Sequence, residues 1–260
     1  MKKAARLIYE TAERLLKVMY WKILSVFYSL KILSVENIPI IINNFNRLTY
    51  PLQLIAFLEQ CGLKNIIIID NNSSYQPLLS YYENCKHTVI RSSTNYGHLA
   101  FWKSGLYRKY KWNYFVYTDS DVVPIEECPV NFIEYFKTIL NSNTKLDKLG
   151  FGIKIDDLPD CFALKDKVID FEKKYWNKEI KPSLYDAPID TTFALYKPLS
   201  NLKYGEIYTL AAYRTGYPYL IHHKPWYVDS LNLSGEDIFY IQHSNSSSSL
   251  SSHIKGREVY

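Results

Sequence analysis

Glycine is scarce in this chain of 260 residues, which has only nine, and the glycine-dependent motifs of several enzyme classes are missing. The sequence contains no G-x-G-x-x-G, no G-x-x-x-x-G-K-[ST] and no G-x-S-x-G. These absences argue against Rossmann dehydrogenases, P-loop nucleotide hydrolases and hydrolases with a nucleophile elbow. The four cysteines form no C-x-x-C pair, which argues against a structural zinc site and fits a reducing compartment.

Long hydrophobic runs are also missing, although the chain is 47% hydrophobic and 22% charged, a composition typical of an ordered globular protein. Lys17, Lys22 and Lys31 interrupt the apolar stretches of residues 1–34. Because a spanning helix needs about 20 mostly apolar residues, no transmembrane helix is expected there. The segment has no small-residue cleavage site, so a removable signal peptide is not expected either.

The net charge of +5 is concentrated in residues 1–34, which carry seven basic and two acidic residues. Residues 35–260 are charge-neutral without a basic stripe, which disfavours nucleic acid as a partner. The apolar residues of 1–34 have helical spacing. The segment therefore predicts an amphipathic helix on an anionic membrane surface, or a helix that packs on its own domain or on a second subunit.

Strands and helices are expected to alternate after this arm, which predicts a doubly wound, mostly parallel α/β sheet flanked by helices. Apolar runs predict strands, and helical spacing predicts helices between them. The strands are expected over 38–45, 66–69, 88–91 and 114–118, and the helices from Thr49 to Gly62, over 75–84 and over 99–109. The expected units are the helix 1–34, a domain 35–243 with halves 35–125 and 126–243, and a flexible serine-rich tail 244–260.

Polar residues follow each of the first four strands, where ligands bind in sheets of this kind. They are Asn44, Asn46 and Arg47 after the first strand, Asp70 and Asn71 after the second, Asn95 to His98 after the third, and Asp119 to Asp121 after the fourth. The pattern predicts a binding site at this edge.

Asp119 and Asp121 directly follow an apolar strand, two residues apart. In extended backbone, such side chains point the same way, so both carboxylates can converge on one hard cation. The alternative interpretation is a helix-capping Asp beside a solvated Asp.

In these segments, the sequence resembles the family 2-like bacterial glycosyltransferases of the GT-A fold, which use nucleotide-sugar donors. The resemblance covers roughly residues 37–240 and depends on Asp70-Asn71-x-Ser, Asn95-x-Gly97-His98 and the segment 118–124, with weaker similarity over 187–193, 214–217 and 223–227. The sequence departs from the family pattern at Asn71-Asn72 and lacks the Gln-x-x-Arg-Trp of processive synthases, so the resemblance implies a non-processive enzyme.

The resemblance implies that Asp119 and Asp121 hold Mn²⁺ or Mg²⁺ on the diphosphate of a UDP-sugar, where Asp121 binds the metal directly and Asp119 reaches the ribose or a metal-bound water. His223 is the expected additional metal ligand, and a single buried histidine is the alternative. Asp70 is expected to accept a hydrogen bond from uracil. Other polar groups expected at the nucleotide are Asn44, Asn46, Arg47, Asn71 and Asn95.

An inverting transferase also needs a carboxylate that takes the proton of the acceptor hydroxyl. Asp190 is the first candidate for this base. Asp237, which resembles the family's Glu-Asp pair together with Glu236, is the second, although Ser234 and Asp237 also form a helix-capping pattern. Trp226 and Glu236 are expected to contact the sugar or the acceptor.

The expected function is transfer of one sugar from a UDP-sugar to a glycan or lipid-linked acceptor in cell-surface polysaccharide or glycolipid synthesis. The expected location is the cytoplasm, peripheral on the inner membrane. Two alternatives stay open. One is a haloacid-dehalogenase-type phosphatase with Asp119 as nucleophile and Asp121 as general acid, and the other is a membrane-associated scaffold without turnover.

Overall fold

The computed structural model describes residues 2–200 and 207–244. The helices are α1 (Lys2–Ser29), α2 (Thr49–Gln60), α3 (Gln76–Glu83), α4 (Ala100–Lys103), α5 (Tyr107–Tyr110), α6 (Phe132–Ser142), α7 (Lys165–Glu172) and α8 (Gly235–His243). The strands are β1 (Ile40–Asn44), β2 (Ile66–Asp70), β3 (Thr88–Arg91), β4 (Phe115–Asp119), β5 (Val122–Pro124), β6 (Lys148–Ile153), β7 (Glu179–Lys181), β8 (Leu184–Asp186), β9 (Ala194–Tyr196) and β10 (Ala212–His223). The predicted tail lies outside the described residues except for Ser244.

The described strands form one sheet in the order β3-β2-β1-β4-β9-β6-β10-β8-β7, with β5 paired to β10. Strands β3, β2, β1 and β4 are parallel, β9 runs antiparallel to both β4 and β6, and β6 is parallel to β10. The predicted α/β class, with a mostly parallel sheet flanked by helices and an N-terminal helix, is confirmed. The register aligns Asn43 of β1 with Asp119 of β4, so the polar strand ends meet at one edge.

Both faces of the sheet are covered, which explains the uninterrupted isoleucines of β1 and β2. Ile40 and Ile42 lie in the larger hydrophobic cluster, and Ile41 lies in the other cluster on the opposite face. Successive residues of each strand therefore alternate between the two hydrophobic clusters. The polar side chains lie at the ends of the strands.

One predicted helix differs in the structure. Residues 99–109 were expected to form a single helix, but α4 and α5 are separated by Gly105, which has a φ of +78°. A backbone in this left-handed region cannot continue an α-helix. The left-handed Gly62 after α2 is confirmed, with a φ of +74°.

Helix α1 packs on the rest of the chain through one face only. Trp21, Leu24 and Tyr28 are buried there; the Trp21 Nε1 donates to the Pro198 carbonyl, and the Tyr28 hydroxyl donates to the side chain of Asn113. The face of α1 that carries these three residues therefore packs on its own domain, which is one of the two arrangements that the sequence predicted for residues 1–34. None of the helices in the described part of the chain combines the length and the hydropathy needed to cross a bilayer.

Candidate active site

A cavity of about 400 Å³ opens at the carboxyl ends of the parallel strands. The ends of β1, β2 and β4 contribute Asn43, Asn71 and Asp119 to its wall. The connection between β8 and β9 contributes Asp190, and the end of β10 contributes His223. The cavity thus lies where the order of sequential strands changes in the sheet, as ligand sites of α/β sheets do.

Asp119 and Asp121 both face this cavity from the end of β4 and the turn that follows. The Thr191 hydroxyl donates to Asp119 Oδ2 at 2.7 Å, which fixes the orientation of that carboxylate. Burial, together with the charges of Asp121 and Asp190, raises the pKa of Asp119 well above its usual value. Carboxylates that crowd one cavity in this way are stabilised by a cation between them.

His223 approaches the same pair because β10 is antiparallel to β5, with His223 opposite Val122. Its Nε2 lies 3.8 Å from Asp121 Oδ1, and its buried Nδ1 has no hydrogen-bond partner. Within the described ranges, no three His, Cys, Asp or Glu side chains are arranged to hold a metal ion. The donors nevertheless fit a cation that keeps positions for substrate, since Mg²⁺ is commonly bound by one or two carboxylates plus phosphate oxygens.

Asp190 is an exposed residue of the cavity wall, and its carboxylate is partly desolvated by the protein atoms around it. The Thr192 N–H donates to its Oδ1 at 3.0 Å. Burial alone raises the pKa of Asp190, but the Thr192 hydrogen bonds and the charges of Arg214 and Lys148 outweigh it and lower the pKa below its usual value. Asp190 is therefore ionised at neutral pH, which is the form that a proton acceptor must have.

Two buried basic side chains hold the backbone beside Asp190. Lys148 of β6 donates to the Ile189 and Ile207 carbonyls, and Arg214 of β10 donates to the Pro188 carbonyl at 2.8 Å. Arg214 also pairs with Glu172, which lines the cavity. No local pattern in the sequence indicates this bracing, because Lys148 reaches the segment through the pairing of β6 with β9 and Arg214 through the pairing of β10 with β8.

The residues expected at the nucleotide divide into two groups. Arg47, Asn71 and Asn95 line the cavity. The others are buried and hold turns: Asn46 accepts from the Ser74 and Tyr75 N–H groups, Asn44 donates to the Arg47 carbonyl, and Asp70 accepts from the Ser73 N–H and from Arg91. Their roles in nucleotide binding stay predictions.

Asn43 and Phe45 line the cavity but were missed by the sequence analysis. Asn43 donates to the Gly97 carbonyl, and its buried Oδ1 has no partner, so the oxygen can accept from a ligand. The alternation of side chains along β1 indicates both residues, because Ile41, Asn43 and Phe45 lie on one face of the strand, whereas Asn44 lies on the other.

Glu236 and Asp237 lie at the start of α8, outside the cavity wall. Ser234 and Asp237 form the capping box that the sequence predicted, and Asp237 pairs with Arg47, whose side chain is only 2% exposed. Glu236 accepts from the Thr49 hydroxyl and from the Leu48 and Thr49 N–H groups. These contacts join α8 to the start of α2. Trp226, by contrast, lines the cavity beside His223, with ring centroids 4.5 Å apart.

Replacing Asp237 by asparagine should destabilise the protein strongly. Asparagine can keep the helix cap but leaves the Arg47 charge buried without its counter-ion, which costs about 3–5 kcal/mol. The measurement is the free energy of unfolding in urea. Asp166→Asn is the control, because Asp166 is an exposed acid in the first turn of α7, where loss of the charge costs about 0.3–1 kcal/mol. Equal losses in the two variants would contradict the structural role of the Arg47–Asp237 pair.

Comparisons with known proteins were made against family models, curated proteins and solved structures. No family model matches the sequence, and no curated protein does. Among solved structures, S. aureus TarS 1–349 is 13% identical over 79% of this chain and 68% of that one, with a TM-score of 0.45. GalNAc-T7 with UDP, GalNAc and Mn²⁺ is 13% identical over 71% of this chain and 43% of that one, with a TM-score of 0.45. With an identity of 13% and a TM-score of 0.45, neither similarity supports a conclusion about function.

Proposed function

We propose that this chain is a glycosyltransferase that moves one sugar from a UDP-sugar to a glycan or lipid-linked acceptor, with inversion at the anomeric carbon. The observation that supports it is the meeting of Asp119, Asp121 and Asp190 at one cavity beyond the parallel strands. The environments of these carboxylates differ. Burial and like charges raise the pKa of Asp119, whereas hydrogen bonds and two buried basic side chains outweigh burial and lower that of Asp190. Such a division is typical of sites where carboxylates have separate roles.

The donor end is the part of the cavity around Asp119 and Asp121. These two residues and His223 would hold Mn²⁺ or Mg²⁺, and a mixed set of oxygen and imidazole ligands suits Mn²⁺. A bound divalent cation supplies stabilisation of the negative charge on the departing diphosphate. The Thr191 hydroxyl, 2.7 Å from Asp119 Oδ2, keeps that carboxylate turned into position.

The acceptor end is the part of the cavity around Asp190. Its carboxylate accepts the proton of the acceptor hydroxyl as the hydroxyl oxygen bonds to the anomeric carbon. The bond from that carbon to the diphosphate oxygen breaks, and its electron pair leaves with UDP. We assign the base to Asp190 rather than to Asp237, because Asp237 is buried against Arg47 and lies outside the cavity wall.

The nucleotide end is assigned to the ends of β1, β2 and β3. Asn43 offers a free acceptor oxygen to a base N–H, and Phe45 offers a ring face to a nucleobase. Asn71 and Asn95 both bond to the loop at 96–97 and shape the wall beside them. Asn44, Asn46 and Asp70 act indirectly in this scheme, through the turns that they hold.

The two proposed halves, 35–125 and 126–243, then supply the donor acids and the acceptor base, respectively. We also propose that residues 1–34 attach the protein to an anionic membrane surface on the cytoplasmic side of the inner membrane. Exposed apolar side chains and the excess of basic residues in this segment support the attachment. Cell-surface polysaccharide or glycolipid synthesis is the corresponding process.

Release of UDP from UDP-sugars tests the proposed activity. We expect the protein to hydrolyse at least one of UDP-glucose, UDP-galactose and UDP-N-acetylglucosamine slowly in the presence of Mn²⁺, with water as acceptor, and to lose this activity with a chelator. NMR of the first sugar released should show the inverted anomer. Hydrolysis of p-nitrophenyl phosphate without UDP release would instead favour the phosphatase, and absence of both would favour the scaffold.

A further inference from the structure

The exposed face of α1 is a continuous apolar stripe. Its large apolar side chains with more than a third of their surface exposed are Ile8, Tyr9, Leu15, Leu16, Met19, Ile23, Val26 and Phe27. At 3.6 residues per turn, these positions fall within roughly one third of the helix circumference. A stripe of this length is much larger than the scattered apolar residues of an ordinary surface.

Apart from Leu16, which lines a cavity together with Trp112 of the body, the stripe points away from the rest of the protein. The buried residues Trp21, Leu24 and Tyr28 lie on the opposite side of the helix, where they contact the body. The exposed apolar face is therefore separate from the face of α1 that packs on the body.

The net charge of residues 1–34 indicates which partner covers the exposed apolar face of α1. Glu10 is paired with Arg6, and Glu13 is paired with Lys17, both at 2.8 Å within α1. The excess charge of the segment is thus carried by its five other basic residues, Lys2, Lys3, Arg14, Lys22 and Lys31. A second copy would bring an equal positive charge against this one, whereas an anionic lipid surface is complementary to both the apolar and the basic groups.

The body continues this surface beside α1. Trp112 is 54% exposed, its carbonyl accepts from the Tyr20 hydroxyl, and its ring lies 6.4 Å from the Tyr20 ring. Lys111 adjoins Trp112, and both residues line a cavity that Leu16 and Tyr20 of α1 share. A tryptophan at the edge of an apolar stripe, beside a basic residue, is typical of a membrane interface.

The surface lies at the end of the sheet opposite the cavity. Trp112 and Asn113 precede the first residue of β4, and Pro198 follows the last residue of the antiparallel β9. The cavity is at the other end of β4, where Asp119 lies. A five-residue strand is about 17 Å long, so the two functional ends are separated by at least that distance.

We infer that the apolar stripe of α1, together with Lys111 and Trp112, forms one surface that binds anionic lipid and holds the cavity facing away from the bilayer. The inference deepens the membrane attachment proposed above and does not depend on sugar transfer. In this orientation, the cavity is open to the aqueous side, which favours the glycan over the lipid-linked acceptor among the two proposed above.

Sedimentation of the full chain with vesicles tests the surface. The protein should bind phosphatidylglycerol-containing vesicles at least about tenfold more tightly than pure phosphatidylcholine vesicles, and salt should weaken the binding. Leu16→Glu with Ile23→Glu should abolish it, since both side chains are exposed and replaceable without disturbing the core. Leu231→Glu is the matched control, because Leu231 is 93% exposed and lies outside this surface. Equal binding to both vesicle types, or no binding, would overturn the inference.

Brominated lipids test the orientation. Quenching of tryptophan fluorescence by brominated phosphatidylglycerol vesicles should fall markedly in Trp112→Phe and stay unchanged in Trp226→Phe, because Trp226 lines the cavity. The reverse pattern would show that the cavity faces the bilayer. Sedimentation velocity without lipid provides a further check: a wild-type dimer that Leu16→Glu with Ile23→Glu dissociates would make the stripe a self-interface. UDP binding, measured on the same proteins, separates a failure of this inference from a failure of the proposed transferase.

Discussion

Replacing Asp121 by asparagine should remove the metal-dependent part of UDP binding. Asparagine has nearly the same shape, and the Asp121 backbone carbonyl still accepts from the Lys224 N–H, so the turn after β4 is retained. The variant lacks the charge that a divalent cation requires. Because changes next to metal ligands already cost about 10–100-fold in metal affinity, loss of a proposed ligand should cost at least that much. The measurement is the affinity for UDP at saturating Mn²⁺, by calorimetry.

Asp156→Asn is the matched control for this variant. It removes the same charge from a nearby loop, but the Asp156 side chain is 79% exposed and lies outside the cavity wall. UDP affinity in this control should equal that of the wild type. If Asp121→Asn and Asp156→Asn bind UDP equally well with Mn²⁺, Asp121 does not hold the cation.

Replacing Asp190 by asparagine should abolish turnover and leave donor binding intact. The amide oxygen can still accept from the Thr192 N–H, so the segment braced by Lys148 and Arg214 keeps its shape. The amide cannot take a proton from an acceptor hydroxyl. Loss of a general base lowers kcat by about 10²–10⁴-fold. UDP release at saturating UDP-sugar measures the loss, and UDP affinity measures what is retained.

The control for the base is Asp186→Asn, a change of the same charge four residues earlier. Asp186 is exposed and paired with Lys178 outside the cavity, so turnover should not change. A second comparison uses Asp237→Asn under conditions where it is folded. If that variant loses turnover while Asp190→Asn keeps it, the base is Asp237 and our assignment is wrong.

The first half of the fold was predictable because local signals agree there. The four isoleucines of β2 predict a strand buried on both faces, and the structure buries all of them. Such runs recur at β1 and β4, so the parallel sheet and its polar carboxyl edge follow from the sequence. From about residue 150 the signals weaken, since β7, β8 and β9 have only three residues each. Strands this short show no periodicity.

The site was predictable to the extent that its residues follow strands. Asp119 and Asp121 come directly after β4, and both line the cavity as expected. His223 reaches Asp121 through the pairing of β10 with β5, which no local pattern encodes. The ion pair between Asp237 and Arg47 joins residues 190 positions apart. The sequence indicated the capping contact between Ser234 and Asp237 but not this ion pair.

The central claim is that the cavity binds a nucleotide diphosphate through a cation held at Asp119 and Asp121. Diffraction from crystals grown with UDP and MnCl₂, recorded near the manganese absorption edge, tests it most directly. Our account predicts an anomalous peak that contacts the Asp121 carboxylate and the diphosphate oxygens, with the base beside Asn43 and Phe45. UDP bound elsewhere, or in the cavity without a manganese peak at these two carboxylates, would contradict it.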